Sequence, residues 1–520
     1  MARFTFDELT PTAFLERAGY IYRDREALVD GERRITYGEF NDRARRVAGG
    51  LVDDGVQRGD RVAALCTNSH VMLELQNGVP LAGAVLVPLN TRLSVAELAF
   101  IVDHSGATHL VATAELAQPA SDVAAQTGVR LIVEGGGVED YEARLAAAEP
   151  TAFACADERG LLAINYTSGT TGRPKGVMYH HRGAYLQALA MAFHARLAPG
   201  SRYLWTLPMF HCNGWCFPWA VTAAGGTHYC LRSINPKEIW RLLRDESITH
   251  YSAAPTVLAM IADTPEADGA SVGHAIHVDT GGAPPSPTLL ARLSDLRMEV
   301  THLYGLTETF GPIAINDWQP EWDALPASAQ ADLKARQGVG NVIAARLRVV
   351  DAAGEDVLAD GASIGELVCR GNDVMLGYYN DEQATEEATI GEWFRTGDLG
   401  VVHADGYVEI RDRQKDIIIS GGENIASIEV ERVLDGHPDV LESAVVAQPH
   451  DLWGEVPVAF VTLRTGGTAG EQDLQLYVRD RIAHFKVPKQ IVFGPLPKTS
   501  TGKIKKNALR VVARASQRSK

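Results

Sequence analysis

Thirteen residues from position 165 to 177, NYTSGTTGRPKGV, hold three glycines, five hydroxyl side chains and two cations. Backbone N–H groups bared by glycine, together with hydroxyls and a lysine, make a cradle suited to phosphate. Gly169 and Gly172 let the backbone approach closely, Thr167, Ser168, Thr170 and Thr171 donate hydrogen bonds, and Lys175 supplies charge. The apolar run LLAIN before the loop reads as a buried strand, and YHHRGAYLQALAMAFHA after it as a helix. The expected arrangement is therefore strand, loop, helix. The Walker pattern is absent, because Lys175 is followed by Gly176. A flexible surface loop has a similar composition, so this stretch points to phosphate without naming a reaction.

Four further stretches carry chemistry-bearing residues. TGGAPPS, at 280–286, follows a strand-like run and packs glycines against prolines, a rigid turn with exposed backbone. YGLTE, at 304–308, follows the strand end EVTHL. Loops at the carboxyl ends of strands in an α/β sheet share one crevice. Tyr304 offers a flat face for a base, Thr307 a hydroxyl for phosphate and Glu308 a hard oxygen for Mg²⁺. In RTGDLG, Asp398 has two oxygens for a ribose diol, and in PKTSTGKIKK, Lys503 follows a glycine on a basic tail. Singly, each reads equally as a core tyrosine, a capping threonine, a turn aspartate or a surface lysine.

The elements that must position these residues alternate. RVAALC, GAVLVPL, LLAIN, ITHYSAA and HAIHVDT read as buried strands. Between them, Ser94 with Glu97 caps a helix that Gly106 ends, and Asn235, Pro236 and Glu238 open another. Strands alternating with helices predict parallel α/β layers. From about Val339 the texture changes to short alternating strands, with Asp405-Gly406 at a tight hairpin. A short α/β segment follows RDRQKD, with helices in SIEVERVLDG and EQDLQLYVRDRIA. The boundaries read as residues 1–412, a charged hinge at 413–416, and 417–520.

With 520 residues, 46% of them hydrophobic, the chain buries several cores, and a net charge of −16 argues against nucleic acid as a partner. Six cysteines without paired C-x-x-C spacing read as free thiols in a reducing compartment. No signal peptide is visible at the start. Residues 204–231 lack Asp, Glu, Lys and Arg but contain prolines, His211, Asn213 and glycines, which disfavours a membrane span. The expected location is cytoplasmic, and a homodimer stays open.

Taken in order, the glycine-rich loop, YGLTE, TGD, RDRQKD and the late GK lysine resemble the adenylate-forming superfamily, which includes acyl- and aryl-CoA synthetases, luciferases and peptide-synthetase adenylation domains. The likeness runs from ITYGEF at 35–40 to TGKIKK. It implies an α/β fold: a large N-terminal domain of two α/β layered subdomains plus a small β-barrel, then a small mobile α+β C-terminal domain. It implies ATP, Mg²⁺ and coenzyme A as cofactor and co-substrates, with a small carboxylic acid as the other partner. Thr167 through Lys175 would hold the β- and γ-phosphates. Tyr304, Gly281, Gly282 and Ala283 would border adenine, Thr307 the α-phosphate, and Asp398 and Arg413 the ribose, while Glu308 would bind the metal.

By the same likeness, Lys503 bridges the carboxylate and the α-phosphate, Lys415 is the hinge, and Ser420, Gly421, Gly422 and Glu423 line the thiol tunnel. His211 would orient the acid or gate that tunnel. Asn213 and Trp215 would wall the acyl pocket. Gly305, standing where relatives for acetate carry a Trp, would leave its floor open. The implied activity is AMP-forming ligation of a medium-chain fatty or aryl-alkanoic acid to CoA. Two alternatives share the motifs: a stand-alone enzyme loading a carrier protein, and a luciferase-like oxygenase. Against the first, MFHCNGWCFPW offers no acid to pair an amino group, and no carrier domain follows GKIKK.

Overall fold

Two capping boxes fix the starts of N-terminal helices. Glu39 N–H donates to Thr36 Oγ1 at 3.3 Å while Thr36 N–H donates to the Glu39 carboxylate at 2.8 Å, opening the helix Tyr37–Asp53. Ser94 and Glu97 repeat the device for Val95–Ser105, which Gly106 ends at φ 63°. The computed structural model describes residues 5–136, 139–167, 174–267, 272–282, 285, 287–421, 423–450, 453–499 and 503–517.

Two large sheets form the bulk. In the first, the order is Val339–Gly340, Gly311–Ile315, Met298–Leu306, Ile276–Gly281, His250–Ala253, Arg202–Leu204, Thr227–Cys230, Glu26–Asp30, Arg33–Thr36. Its centre is parallel and its edges antiparallel. In the second, the order is Arg130–Val133, Ala107–Ala112, Arg61–Leu65, Val85–Pro88, Leu161–Thr167, Lys175–His180. The largest core, with Tyr37, Phe40, Leu73, Tyr179, Trp205 and Phe217, lies between these sheets and their helices.

One local expectation is corrected here. The residues after the glycine-rich loop do not enter a helix directly. Lys175–His180 is a strand antiparallel to Leu161–Thr167, and the helix His181–His194 begins only afterwards. Core packing gives the physical reason: Val177 and Tyr179, two apart on one strand face, both join the main core.

Beside the large sheets, Arg348–Val350, Gly365–Cys369, Trp393–Val402, Thr389–Ile390 and Val408–Arg413 make a five-stranded antiparallel sheet with its own core. A separate C-terminal sheet is built mainly on the long pair Val440–His450 and Gly454–Leu463, with helices Ser427–Asp435, Glu471–Arg479 and Lys506–Gln517. Among the described residues, no helix is long and apolar enough to cross a membrane.

A buried ionic network ties the N-terminal layers together. Asp30 ends a strand, and its carboxylate takes His70 Nδ1 at 2.6 Å and Arg232 Nη2 at 2.7 Å. Arg43 bonds Glu74 at 2.6 Å and Glu142 at 2.8 Å, and Tyr141 donates to Glu74 at 2.6 Å. Among the described residues all six cysteines are free, and all but Cys155 are buried.

Candidate active site

Thr167 and Lys175 are register partners at the end of the antiparallel pair where the chain leaves for the glycine-rich loop. Ser168, Gly169, Thr170, Thr171 and Gly172 lie outside the described residues, as do Ala283 and Gly422. The Lys175 ammonium sits 4.8 Å above the ring of Tyr378, whose hydroxyl donates to Glu308 Oε1 at 2.8 Å. Tyr378 is delivered by an extended segment alongside the hairpin: Tyr379 N–H donates to Gly176 O at 2.7 Å and Met178 N–H to Gly377 O at 3.1 Å. Sequence reading missed Tyr378; its signal is a Tyr pair flanked by Gly377 and Asn380.

Glu308 stands on the turn Thr307–Thr309 at the end of strand Met298–Leu306. Tyr179 OH donates to Thr307 O at 2.6 Å, fixing that turn from the hairpin side. Tyr304, on the same strand, donates its hydroxyl to Asp398 Oδ2 at 2.6 Å. Asp398 and Arg413 are cross-strand partners, with Arg413 Nε 3.2 Å from Asp398 Oδ1. A carboxylate has about four acceptor sites, so Asp398 keeps capacity for a further donor pair. Burial opposes the Arg413 charge most, but Asp398, Tyr304, Asp416 and Glu308 together outweigh it and raise the guanidinium's pKa.

Lys503 reaches this region from the C-terminal unit. A Cβ placed on Gly282, whose φ is +92°, would lie 3.0 Å from Lys503 Cε, so only glycine lets the lysine pass. Burial, then the Arg413 charge, lowers the Lys503 pKa, while Asp398, Cys212 and Glu308 pull the other way. His211 is pushed down to about 3, first by burial and then by Lys503, so its ring is neutral at pH 7. The Cys212 thiol lies 3.5 Å from Thr307 Oγ1 and 3.7 Å from His211 Nε2. Burial pushes that thiol up to about 11, which leaves it inert as a nucleophile.

Residues Cys212, Asn213, Gly214, Trp215 and Cys216 all have positive φ, from 47° to 63°. A run of L-residues in this region costs roughly 1–2 kcal/mol each. The turn is held from several sides: Asn213 Nδ2 donates to Asn165 Oδ1 at 2.8 Å, Gly214 N–H to His211 O at 2.9 Å, and Gly214 packs against Trp205. Strain of this kind collects at functional sites. It lays the Trp215 indole across two glycines, since a Cβ on Gly281 would meet it at 3.1 Å and one on Gly311 at 3.0 Å. Sequence reading missed this turn; Asn213 and Gly214, both tolerant of positive φ, were its signal.

These positions match known proteins. A model described as AMP-binding enzyme covers residues 15–379, and one described as AMP-binding enzyme C-terminal domain covers 429–503. The peroxisomal acetate/butyrate–CoA ligase of Arabidopsis thaliana is 42% identical, across 98% of this chain and 95% of its own. The 4-hydroxybutyrate–CoA ligase 2 of Metallosphaera sedula is 40% identical over the same shares, 98% and 95%. The ATP-bound MatB of Rhodopseudomonas palustris superposes with a TM-score of 0.86 at 29% identity, over 97% of this chain and 99% of that one.

The chain belongs to the AMP-binding enzyme family.

As an AMP-binding enzyme, the chain brings Thr167, Lys175, Glu308, Thr307, Tyr304, Asp398, Arg413, Gly281, Gly282, His211 and Lys503 to one cleft. Ser420, Gly421 and Glu423 are elsewhere: Ser420 pairs with Glu423 and Gly454, and Gly421 N–H donates to Trp453 O at 2.8 Å, all within the C-terminal unit. Lys415 lies on the turn Gln414–Asp416, where Arg510 bonds Asp416 and donates to Lys415 O at 3.2 Å.

Gly305 is not a pocket floor. It occupies a register shift opposite Pro312, and a Cβ there would fall 1.8 Å from Gly311 O. Its missing side chain admits the neighbouring strand rather than a substrate. Asp279, which sequence reading passed over, shares a strand face with Gly281.

The donor set also speaks to the metal of AMP-binding enzymes. Among the described residues no group of three or more His, Cys, Asp or Glu could hold an ion. A single carboxylate, Glu308, fits Mg²⁺ that arrives on nucleotide phosphates and takes only one or two protein ligands.

Proposed function

We propose that this AMP-binding enzyme ligates a monocarboxylic acid with a short or single-ring, uncharged tail to coenzyme A, using Lys503 for the first step and a turned C-terminal unit for the second. The reaction is that of an AMP-forming acid–thiol ligase: acid and ATP give an acyl-adenylate and pyrophosphate, and CoA then displaces AMP.

Bringing a carboxylate onto a phosphate sets two anions together, and charge grows on the α-phosphate. Lys503 meets that charge where it develops. Its depressed pKa reflects burial first and then the neighbouring Arg413 cation, both of which an arriving anion would offset. Mg²⁺, when bound at Glu308, supplies further neutralisation of phosphate charge. Lys175 and the glycine-rich loop hold the departing phosphates, Asp398 and Arg413 the ribose, and Tyr304 the base. His211, neutral at pH 7, orients the acid as a hydrogen-bonding group rather than as a cation. No protein nucleophile is needed, because the adenylate is already activated when the thiol arrives.

The observation that supports this reading most strongly is the convergence of Lys503 with Asp398, Arg413 and Glu308, which are well separated from it along the chain. Acid size rests on Trp215. With Gly305 engaged by backbone, the Trp215 indole over Gly281 and Gly311 forms one wall of the pocket and narrows it. The acids in the names of the two relatives, acetate, butyrate and 4-hydroxybutyrate, are short as well. A second carboxylate would have to be buried here at a cost of several kcal/mol.

The test is a panel of acids with ATP and CoA, read by AMP release and thioester mass. Thioester from short or single-ring monocarboxylates, and little from dicarboxylates, is expected. Oxygen uptake with no thioester, or AMP release only with a carrier protein present, would overturn the reading.

A further inference from the structure

Asp279 is an acid with no role so far. It lies on the inner strand Ile276–Gly281, between His250–Ala253 and Met298–Leu306. Its register partners are Ser252 on one side and Thr301 on the other, so these three side chains share one face. Two residues further on, the same face carries Gly281, the glycine beneath Trp215. Tyr203 borders the group from the next strand and donates its hydroxyl to Ser252 Oγ at 2.8 Å.

The hydrogen bonds here leave Asp279 out. Ser252 is fully buried and serves Tyr203. Among the described residues no donor bonds the Asp279 carboxylate. Burial alone pushes it up to about 7. Yet Asp279 and Thr301 are only partly covered, so this strand face leaves the carboxylate within reach of another molecule. An unpaired acid in such a place costs stability unless something else satisfies it.

We infer that Asp279 reads the far end of the acid, favouring a tail that ends in a hydroxyl group. The inference rests on the ligase reading above and narrows its substrate class.

Distance supports it. Lys503 passes Gly282, and Asp279 is three residues back along the strand, about 10 Å at ~3.3 Å per residue. Subtracting a hydrogen bond of ~2.8 Å leaves about 7 Å between the activated carboxylate and the tail oxygen. An extended chain of about five bonds near 1.5 Å, or one benzene ring with a short arm, spans that gap. An α-amino group would fall far short of Asp279, which separates this site from one that recognises amino acids. A tail hydroxyl can donate to the carboxylate, or accept from the carboxyl when it is protonated. A tail carboxylate would meet repulsion.

The experiment compares matched acids on the full-length enzyme: butyrate with 4-hydroxybutyrate, pentanoate with 5-hydroxypentanoate, and 3-phenylpropanoate with its para-hydroxy form. AMP release gives kcat/KM for the unaltered chain, Asp279→Asn and Asp279→Leu. The unaltered enzyme should prefer the hydroxy acid by roughly tenfold or more in at least one pair, the scale of a hydrogen bond to a charged group. Asp279→Leu should abolish or reverse that preference while speeding the parent acid, and Asp279→Asn should keep part of it. Asp279→Leu should also melt at a higher temperature, because an unpaired buried acid is removed. Preference for the parent acid in every pair, or a ratio unmoved by Asp279→Leu, would overturn the inference while leaving the ligase reading intact. Absence of thioester with all six acids would bring down both.

Discussion

The hydroxyl of Tyr378 stands 2.8 Å from Glu308 Oε1, and the same ring carries the Lys175 ammonium on its face. One side chain thus links the cation beside the glycine-rich loop to the carboxylate proposed to meet Mg²⁺. Tyr378→Phe keeps the ring and removes only the hydrogen bond. It should lower kcat/KM roughly tenfold, the worth of a hydrogen bond to a charged group, and raise the Mg²⁺ concentration needed for half-maximal AMP release. An unchanged Mg²⁺ titration would detach Tyr378 from the metal site.

Gly305→Ala should behave as a folding defect. Its Cβ would meet Gly311 O at 1.8 Å, and backbone on both strands must move. A loss of at least about 3 kcal/mol in urea unfolding is expected. A well-folded Gly305→Trp variant that favoured acetate would instead restore the open-floor view of this residue.

The ionic network around His70 predicts a pH dependence of stability. Burial works against a charged His70, but Asp30 and Glu142, helped by Glu74, raise its pKa to about 9; Arg33 Nη1, at 3.1 Å from Nε2, opposes them. A pKa raised above the unfolded value of ~6.5 adds stability that is complete below that pH and fades as pH climbs through about 9. Asp30 and Glu142 are shifted the other way, against their burial, by His70 and by Arg232 or Arg43. Their share is present above ~4 and fades in acid. Unfolding free energy should therefore fall by a few kcal/mol between pH 6.5 and 9 in the unaltered chain and much less in His70→Gln. Parallel curves would contradict the pairing.

Lys415→Pro tests the turn between the units. Fixing φ there should leave adenylate formation nearly intact and slow thioester formation at least about tenfold, because in the proposed mechanism the C-terminal unit turns before CoA attacks. Two ion pairs join the units in the present arrangement, Arg464 to Asp263 at 3.0 Å and Arg432 to Glu409 at 2.7 Å. Rapid-quench measurement of each half-reaction distinguishes the outcomes. A normal thioester rate would move the hinge elsewhere.

Much of this was legible in the residues. Capping boxes, apolar runs and turn glycines marked the layers, because each is set by interactions within a few residues. The glycine-rich loop, Tyr304, Glu308, Asp398 and Lys503 stood out because chemistry restricts the residue types that can serve. The remainder depended on long-range contacts. Gly305 was misread because what fills the space beside a glycine, here Gly311 backbone, is set by strand register. The strand Lys175–His180 reads in sequence as the end of the loop and the start of the helix, because so short a stretch carries no period of its own. Tyr378 lies far in sequence from Lys175 and Glu308, which folding brings to it, and Asp279, although it directly precedes TGGAPPS, gives no sign in sequence of what its strand neighbours leave unpaired. The left-handed turn at 212–216 contradicts local preference and persists through contacts with Asn165, Trp205 and Thr307.

The most direct measurement concerns Lys503, whose charge is proposed to be required only while two anions are brought together. Lys503→Ala should be assayed in separate half-reactions: ATP-dependent adenylate formation, and transfer of a supplied acyl-adenylate to CoA. Adenylate formation should fall on the order of 10²–10³-fold, as for other preorganised electrostatic groups, while transfer to CoA continues at the unaltered rate. Equal losses in both half-reactions, or full adenylation without the lysine, would contradict the account.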